Sequence, residues 1–159
     1  MFLHASWLHI LGNMLFLWIF GNNVEDVMGR LRFLVFYLAS GFVAALGQAW
    51  VTLRYAGVHA ASVPTVGASG AIAGVLGAYL VLLPHARVVT LVFGFIPVPI
   101  SAMIFLGLWF VFQLWEGGFS VTHPGAGGGV AFAAHVAGFL FGAVAVRAFQ
   151  VRAPLRPRW

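Results

Sequence analysis

Thr65-Val-Gly-Ala-Ser69-Gly-Ala71 sets one serine among small residues, and an apolar run then continues to Leu83 before Pro84 stops it. Ser69 to Leu83 is 15 residues, a helix of about 22 Å at about 1.5 Å per residue. A bilayer core is about 30 Å thick, so such a helix is too short to cross it alone. One end must lie below the membrane surface. Pro84, His85 and Arg87 suit an interface, which makes the serine end the sunken one. Irregular backbone at that depth survives only when buried in protein or lining a watery cavity. A hydroxyl at a helix start, inside a membrane and beside water, is what the rest of the chain has to explain.

The composition agrees with a membrane setting: 62% of residues are hydrophobic and 7% charged, as in polytopic membrane proteins. Cysteine is absent, which removes disulfides, thiolate metal sites and a cysteine nucleophile together. The eight positive side chains are all arginine. Their spread fits no nucleic-acid face with base-stacking groups. No cleavable signal peptide is evident before the first span.

Four long apolar stretches and the short one predict an all-α, polytopic bundle without a linker that would separate two domains. The spans are read as about Trp7–Val27, about Phe33–Leu53, Ser69–Leu83, about Ile100–Trp115 and about Val130–Phe149. Arg30 and Arg32 mark an inner loop. Residues 88–100, broken by Gly94, Pro97 and Pro99, read as an interfacial hairpin or frayed turn. A glycine-rich loop follows from Gly117 to Gly129. The aromatics Phe105, Trp109, Phe110, Phe112 and Trp115 read as lipid-facing or belt residues. Seven arginines fall on one side of this topology and Arg54 alone on the other, and the arginine-rich side is cytoplasmic.

Alternation then sends the first, third and fifth spans from outside to inside. Their starts contain His9 and Asn13, Ser69, and His135. Topology alone thus sets four separated polar residues at one outer level, where polar groups default to function. His9 and Asn13 are an i, i+4 pair able to point at one target. Ser69 opens its helix, where free N–H groups and the positive dipole end favour a developing anion. Ala134, Gly138 and Gly142 repeat every four residues, and Gly70 and Gly74 do so on the third helix. Such faces let backbones approach closely, bringing His135 toward Ser69. A serine and a positioned histidine are the minimum for an activated hydroxyl. No carboxylate completes a triad: Glu25 and Asp26 lie at the far end, and nothing ties Glu116 to His135. The arrangement reads as a dyad.

Phe2-Leu-His-Ala-Ser-Trp-Leu-His9-Ile-Leu-Gly-Asn13-Met, Gly67-Ala-Ser69-Gly and Ala134-His135-Val-Ala-Gly138-Phe-Leu-Phe-Gly142 together resemble the three signature segments of rhomboid intramembrane serine proteases. By that resemblance Ser69 is the nucleophile and His135 the general base. His9, Asn13, Gly67 and the Ser69 N–H form the oxyanion side. The resemblance implies cleavage of single-pass transmembrane substrates near their outer end, within the lipid bilayer. It also implies a helix upstream of the first motif, so residues 1–159 read as one rhomboid-like domain lacking that sixth helix, with 150–159 a basic cytoplasmic tail.

Taken singly, these features have blander readings. Ser69 alone fits a helix cap, His9 and Asn13 fit an interhelical polar contact, and His4 fits a structural loop role. The histidines are scattered and no carboxylate falls near His9 or His135, so neither a metal nor a cofactor is expected. The alternative function is an inactive fragment or relative that binds transmembrane helices; retention of both serine and histidine favours the enzyme. A small transporter lacks support, because paired intramembrane charges and inverted repeats are missing. Richness in Ala, Gly, Arg and Pro, with no Lys, points to a high-GC bacterium and its cytoplasmic (inner) membrane.

Overall fold

A computed structural model describes residues 3–56, 65–122 and 130–154. The chain runs through α1 (Trp7–Phe16), a π-helical segment (Leu17–Gly21), α2 (Asn22–Met28), α3 (Arg30–Tyr55) and α4 (Ser69–Leu82). A hairpin of β1 (Arg87–Val92) and β2 (Ile96–Ser101) follows, then α5 (Ala102–Thr122) and α6 (Phe132–Phe149). The expected helical bundle is present, with five helical passes. Among the described residues three helices, α3, α5 and α6, are long and apolar enough to cross a membrane. At 14 residues α4 is not.

The short helix is the centre. Every residue from Ala71 to Tyr79 is buried, as a helix apolar on all sides requires. Its contact with α6 is backbone against backbone. A methyl group on Gly138 would run into the Gly70 carbonyl, one on Gly142 into the Gly74 carbonyl, and one on Gly77 into the Phe139 carbonyl. On its other side α4 meets α3: a methyl on Gly70 would lie 2.6 Å from Ala44 Cβ, and one on Gly74 would strike Ser40 Oγ. The α3 helix also meets α6 directly, where a methyl on Gly47 would lie 2.5 Å from Ala137 Cβ. Ser40 is fully buried and satisfies its own hydroxyl within the helix, donating to the Phe36 carbonyl at 2.8 Å. Around this glycine contact the core turns large, with Phe20, Met28, Phe36, Leu76 and Leu106 almost wholly enclosed.

Two boundaries differ from the sequence reading. Arg30 and Arg32 lie in the first turn of α3 rather than in a loop, because the whole connection is Gly29. Its φ of +78° reverses the chain in one residue, a conformation glycine adopts without penalty. The fourth span extends to Thr122, taking Gly117 and Gly118 into α5. Residues 57–64, 123–129 and 155–159, with His59, His123 and the end of the basic tail, lie outside the described residues. The hairpin expected near residues 88–100 is a two-stranded antiparallel ribbon, with Arg87 opposite Ser101 and Val92 opposite Ile96. Pro97 and Pro99, two residues apart on β2, direct their missing N–H groups to the same unpaired edge.

The bundle ends are tied by backbone bonds. Beyond α6, the Val151 and Arg152 N–H groups both donate to the Val27 carbonyl at 3.0 Å. Glu25 sits 3.8 Å from Arg30 at this end, away from the end that carries Ser69.

The α4–α6 contact yields a direct test. Gly142→Ala must push two helix backbones apart and is expected to lower stability by about 1–3 kcal/mol, the usual cost of overpacking. Gly107→Ala on α5, where nothing lies within 4 Å of the added methyl, should stay within about 1 kcal/mol of the parent. Thermal melting of the two variants in the same detergent checks both.

Candidate active site

Ser69 is the first residue of α4, so its N–H is among those left without an intrahelical partner. His135 lies in the first turn of α6, its own N–H bonded to the Ala131 carbonyl at 3.2 Å. The close approach of α4 and α6 leaves Ser69 Oγ 2.8 Å from His135 Nε2. The first turn of α6 is further fixed from α3, where Gln48 Oε1 accepts the Ala134 N–H at 3.2 Å. Gln48 is held in turn by Thr52, its Nε2 donating to the Thr52 hydroxyl at 3.1 Å.

The opposite wall comes from α1. Ser6 caps that helix, its extended backbone letting the hydroxyl accept the His9 N–H at 3.1 Å. The cap sets His9 and Asn13 on the face toward the segment before α4. There Gly67 has φ +113°, and a methyl on it would fall 2.7 Å from His9 Nε2 and 3.7 Å from Asn13 Nδ2. Glycine is thus required twice over, by backbone angle and by space. Asn13 is 7% exposed, and its Nδ2 has no hydrogen-bond partner among the described residues. A buried, unused donor is costly.

The five residues singled out from sequence therefore gather in one neighbourhood: Ser69 with His135, and Gly67, two residues before Ser69, with His9 and Asn13. His4 joins them, its ring 5.2 Å from that of His9 in an edge-on contact. Both His4 ring nitrogens lack partners among the described residues. Among the described residues no three His, Asp or Glu side chains gather to hold a metal ion.

One contact escaped the sequence reading. Gln113 of α5 is 4% exposed, and its Oε1 lies 2.8 Å from His135 Nδ1. The signal was available, since a single amide in an apolar span is costly there and calls for a partner. The aromatics around it also differ from expectation. Trp109 lies 5.9 Å from the rings of both His135 and Phe139, and Phe110 stacks on Phe139 at 4.5 Å. Phe105 stacks on Phe20 at 6.2 Å. Only Phe112 and Trp115 of the five stay largely exposed.

Comparisons with known proteins point to one family. A family model described as Rhomboid domain matches residues 1–151. The mitochondrial Rhomboid protein 1 of Saccharomyces cerevisiae is 34% identical over 148 residues, covering 89% of this chain and 38% of that protein. The Rhomboid protease GlpG of Pectobacterium atrosepticum is 35% identical over 140 residues, covering 88% of this chain and 43% of that protein. The human presenilin-associated rhomboid-like protein, mitochondrial, is 36% identical over 90 residues, covering 54% of this chain and 22% of that protein. The chain thus spans about two-fifths of the length of the first two relatives. No solved structure gives a significant match. With a family match over nearly its whole length and three helices able to cross a bilayer, this chain is a membrane protein of the rhomboid family.

Proposed function

We propose that the chain carries the catalytic core of an intramembrane serine endopeptidase acting on single-pass transmembrane proteins. The observation that carries this reading is the 2.8 Å pair of Ser69 Oγ and His135 Nε2 at the start of a helix too short to span the bilayer. Ser69 Oγ attacks the scissile carbonyl carbon as its proton passes to His135 Nε2. The carbonyl oxygen, now negative, meets the Ser69 N–H at the α4 start, with His9 and the unused Asn13 Nδ2 beside Gly67. Fixed donors in a water-poor site are the usual source of such stabilisation, at about 3–4 kcal/mol each. Collapse breaks the C–N bond while His135 returns its proton to the leaving amine. Water then releases the acyl group from Ser69 by the same route in reverse order.

Charge supports cleavage on the outer side. Arg30, Arg87 and Arg147 belong to the far end of the bundle, and arginine-rich ends are retained inside, so the site opens outward. The match to bacterial and mitochondrial relatives leaves two kinds of membrane, and the lysine-free composition favours a bacterial cytoplasmic one.

Three outcomes are expected. Ser69→Ala and His135→Ala should each abolish cleavage of a transmembrane substrate and labelling by a fluorophosphonate, with melting unchanged; cleavage retained by Ser69→Ala would falsify the mechanism. His9→Ala and Asn13→Ala should slow turnover by about 100- to 1,000-fold for each donor fully used, whereas wild-type rates in both would reduce the pair to packing. Gly67→Ala should displace the His9 ring and depress turnover to a similar degree, although it touches neither Ser69 nor His135. Normal turnover in that variant would mean the His9 wall is dispensable.

A further inference from the structure

We propose that Gln113 is a positioning residue for His135, fixing its ring and tautomer from a neighbouring helix. The inference rests on the reading of Ser69 as nucleophile and His135 as base. A histidine that takes a proton at Nε2 must begin with Nε2 bare, so its one proton must sit on Nδ1. In a serine–histidine–aspartate triad an acidic side chain accepts that Nδ1–H. Here the atom facing Nδ1 is the Gln113 amide oxygen, at 2.8 Å. An amide oxygen can only accept, and it therefore selects the tautomer in which Nε2 is free to accept from the Ser69 hydroxyl. With the amide nitrogen in its place, Nδ1 would be the acceptor and Nε2 would carry the proton, leaving no base. During the reaction the Ser69 proton moves to Nε2 and then to the amine. Nδ1 keeps its own proton throughout, and Gln113 gains and loses none.

The position of Gln113 adds a second consequence. Of the 21 residues of α5 only Ala102, Leu106 and Gln113 are buried, so this helix is peripheral, in contrast to α4. Near the site it is held to α6 by Phe110 against Phe139, by Trp109 against Phe139 and His135, and by Gln113. The base is therefore aligned by a helix other than the two that bring serine and histidine together. Displacing the Gln113 end of α5 removes the acceptor from Nδ1 while leaving the α4–α6 glycine contact intact.

The test uses the full chain in detergent, labelled with ¹⁵N-histidine, as wild type, Gln113→Met, Gln113→Leu and Gln113→Glu. The His135 resonances are identified by their loss in His135→Ala. Wild type should show His135 protonated on Nδ1 and bare at Nε2. Gln113→Met and Gln113→Leu, without a carbonyl acceptor, should show mixed tautomers and a kcat on a soluble peptide lowered about tenfold, the effect of one hydrogen bond to a buried group, with KM little changed. Gln113→Glu, which restores an acceptor of the same reach, should return kcat to within about threefold of wild type. Melting curves separate these effects from misfolding, and the wild-type tautomer is decisive even if a variant fails to fold. His135 protonated on Nε2 in wild type overturns the inference. So does wild-type kcat with an unmixed tautomer in Gln113→Met or Gln113→Leu, and so does an equal loss in all three variants with the tautomer unchanged. If the wild-type protein lacks Ser69-dependent fluorophosphonate labelling, the catalytic reading fails and takes the inference with it; labelling in wild type at the same rate as in Gln113→Met defeats the inference alone.

Discussion

Backbone contact between α4 and α6 is the constraint on which the rest depends. Gly70, Gly74 and Gly77 face Gly138, Phe139 and Gly142 so closely that side chains have no room between them. In lipid no hydrophobic drive separates protein from solvent, and helices associate through close packing. Glycines give that packing its closest form. The same contact fixes the axial register of the two helices, and the register decides whether a side chain at the start of α4 meets one in the first turn of α6. The 2.8 Å separation of Ser69 and His135 is thus set by atoms up to two helical turns away.

Around that pair, polar groups come from α1, α3 and α5, each for a separate local reason. Ser6 caps α1 and thereby aims His9. Gly67 adopts a backbone angle that side chains avoid, and the space it leaves is bordered by His9 and Asn13. Gln48 of α3 takes up a free N–H at the start of α6. Gln113 of α5 meets the far nitrogen of His135. Unsatisfied polar groups are costly in an apolar bundle, so most of these groups are paired. Asn13 Nδ2 and the two His4 nitrogens stand apart because they have no partner among the described residues. The unpaired Asn13 donor borders the space left open at Gly67.

The helical runs were legible because a span must be apolar for about 20 residues and must end in polar or charged groups. The brevity of Ser69–Leu82 was legible for the same reason, since Pro84 and His85 end it early. Small residues at intervals of four marked the α4 and α6 faces, because packing in lipid selects for size rather than polarity. Boundaries were less secure where glycine has two meanings. Gly29 ends a helix, whereas Gly117 and Gly118 lie inside one, and the sequence offers no side chain to tell the cases apart.

What the sequence by itself determined was which polar residues exist, on which spans they fall, and at which end of the bundle alternation puts them. That was enough to bring Ser69, His135, His9 and Asn13 to one level. The rotation of α5 about its own axis was decided only in the tertiary structure. In a soluble helix the apolar stripe reveals the buried face, but a helix in lipid is apolar on its buried and its exposed sides alike. Trp109, Phe110, Phe112 and Trp115 therefore look equivalent along the chain, and only packing against α6 turns the first two inward and leaves the others outside. Gln113 turns inward with them, which is why its meeting with His135 is a fact of the fold and not of the motif.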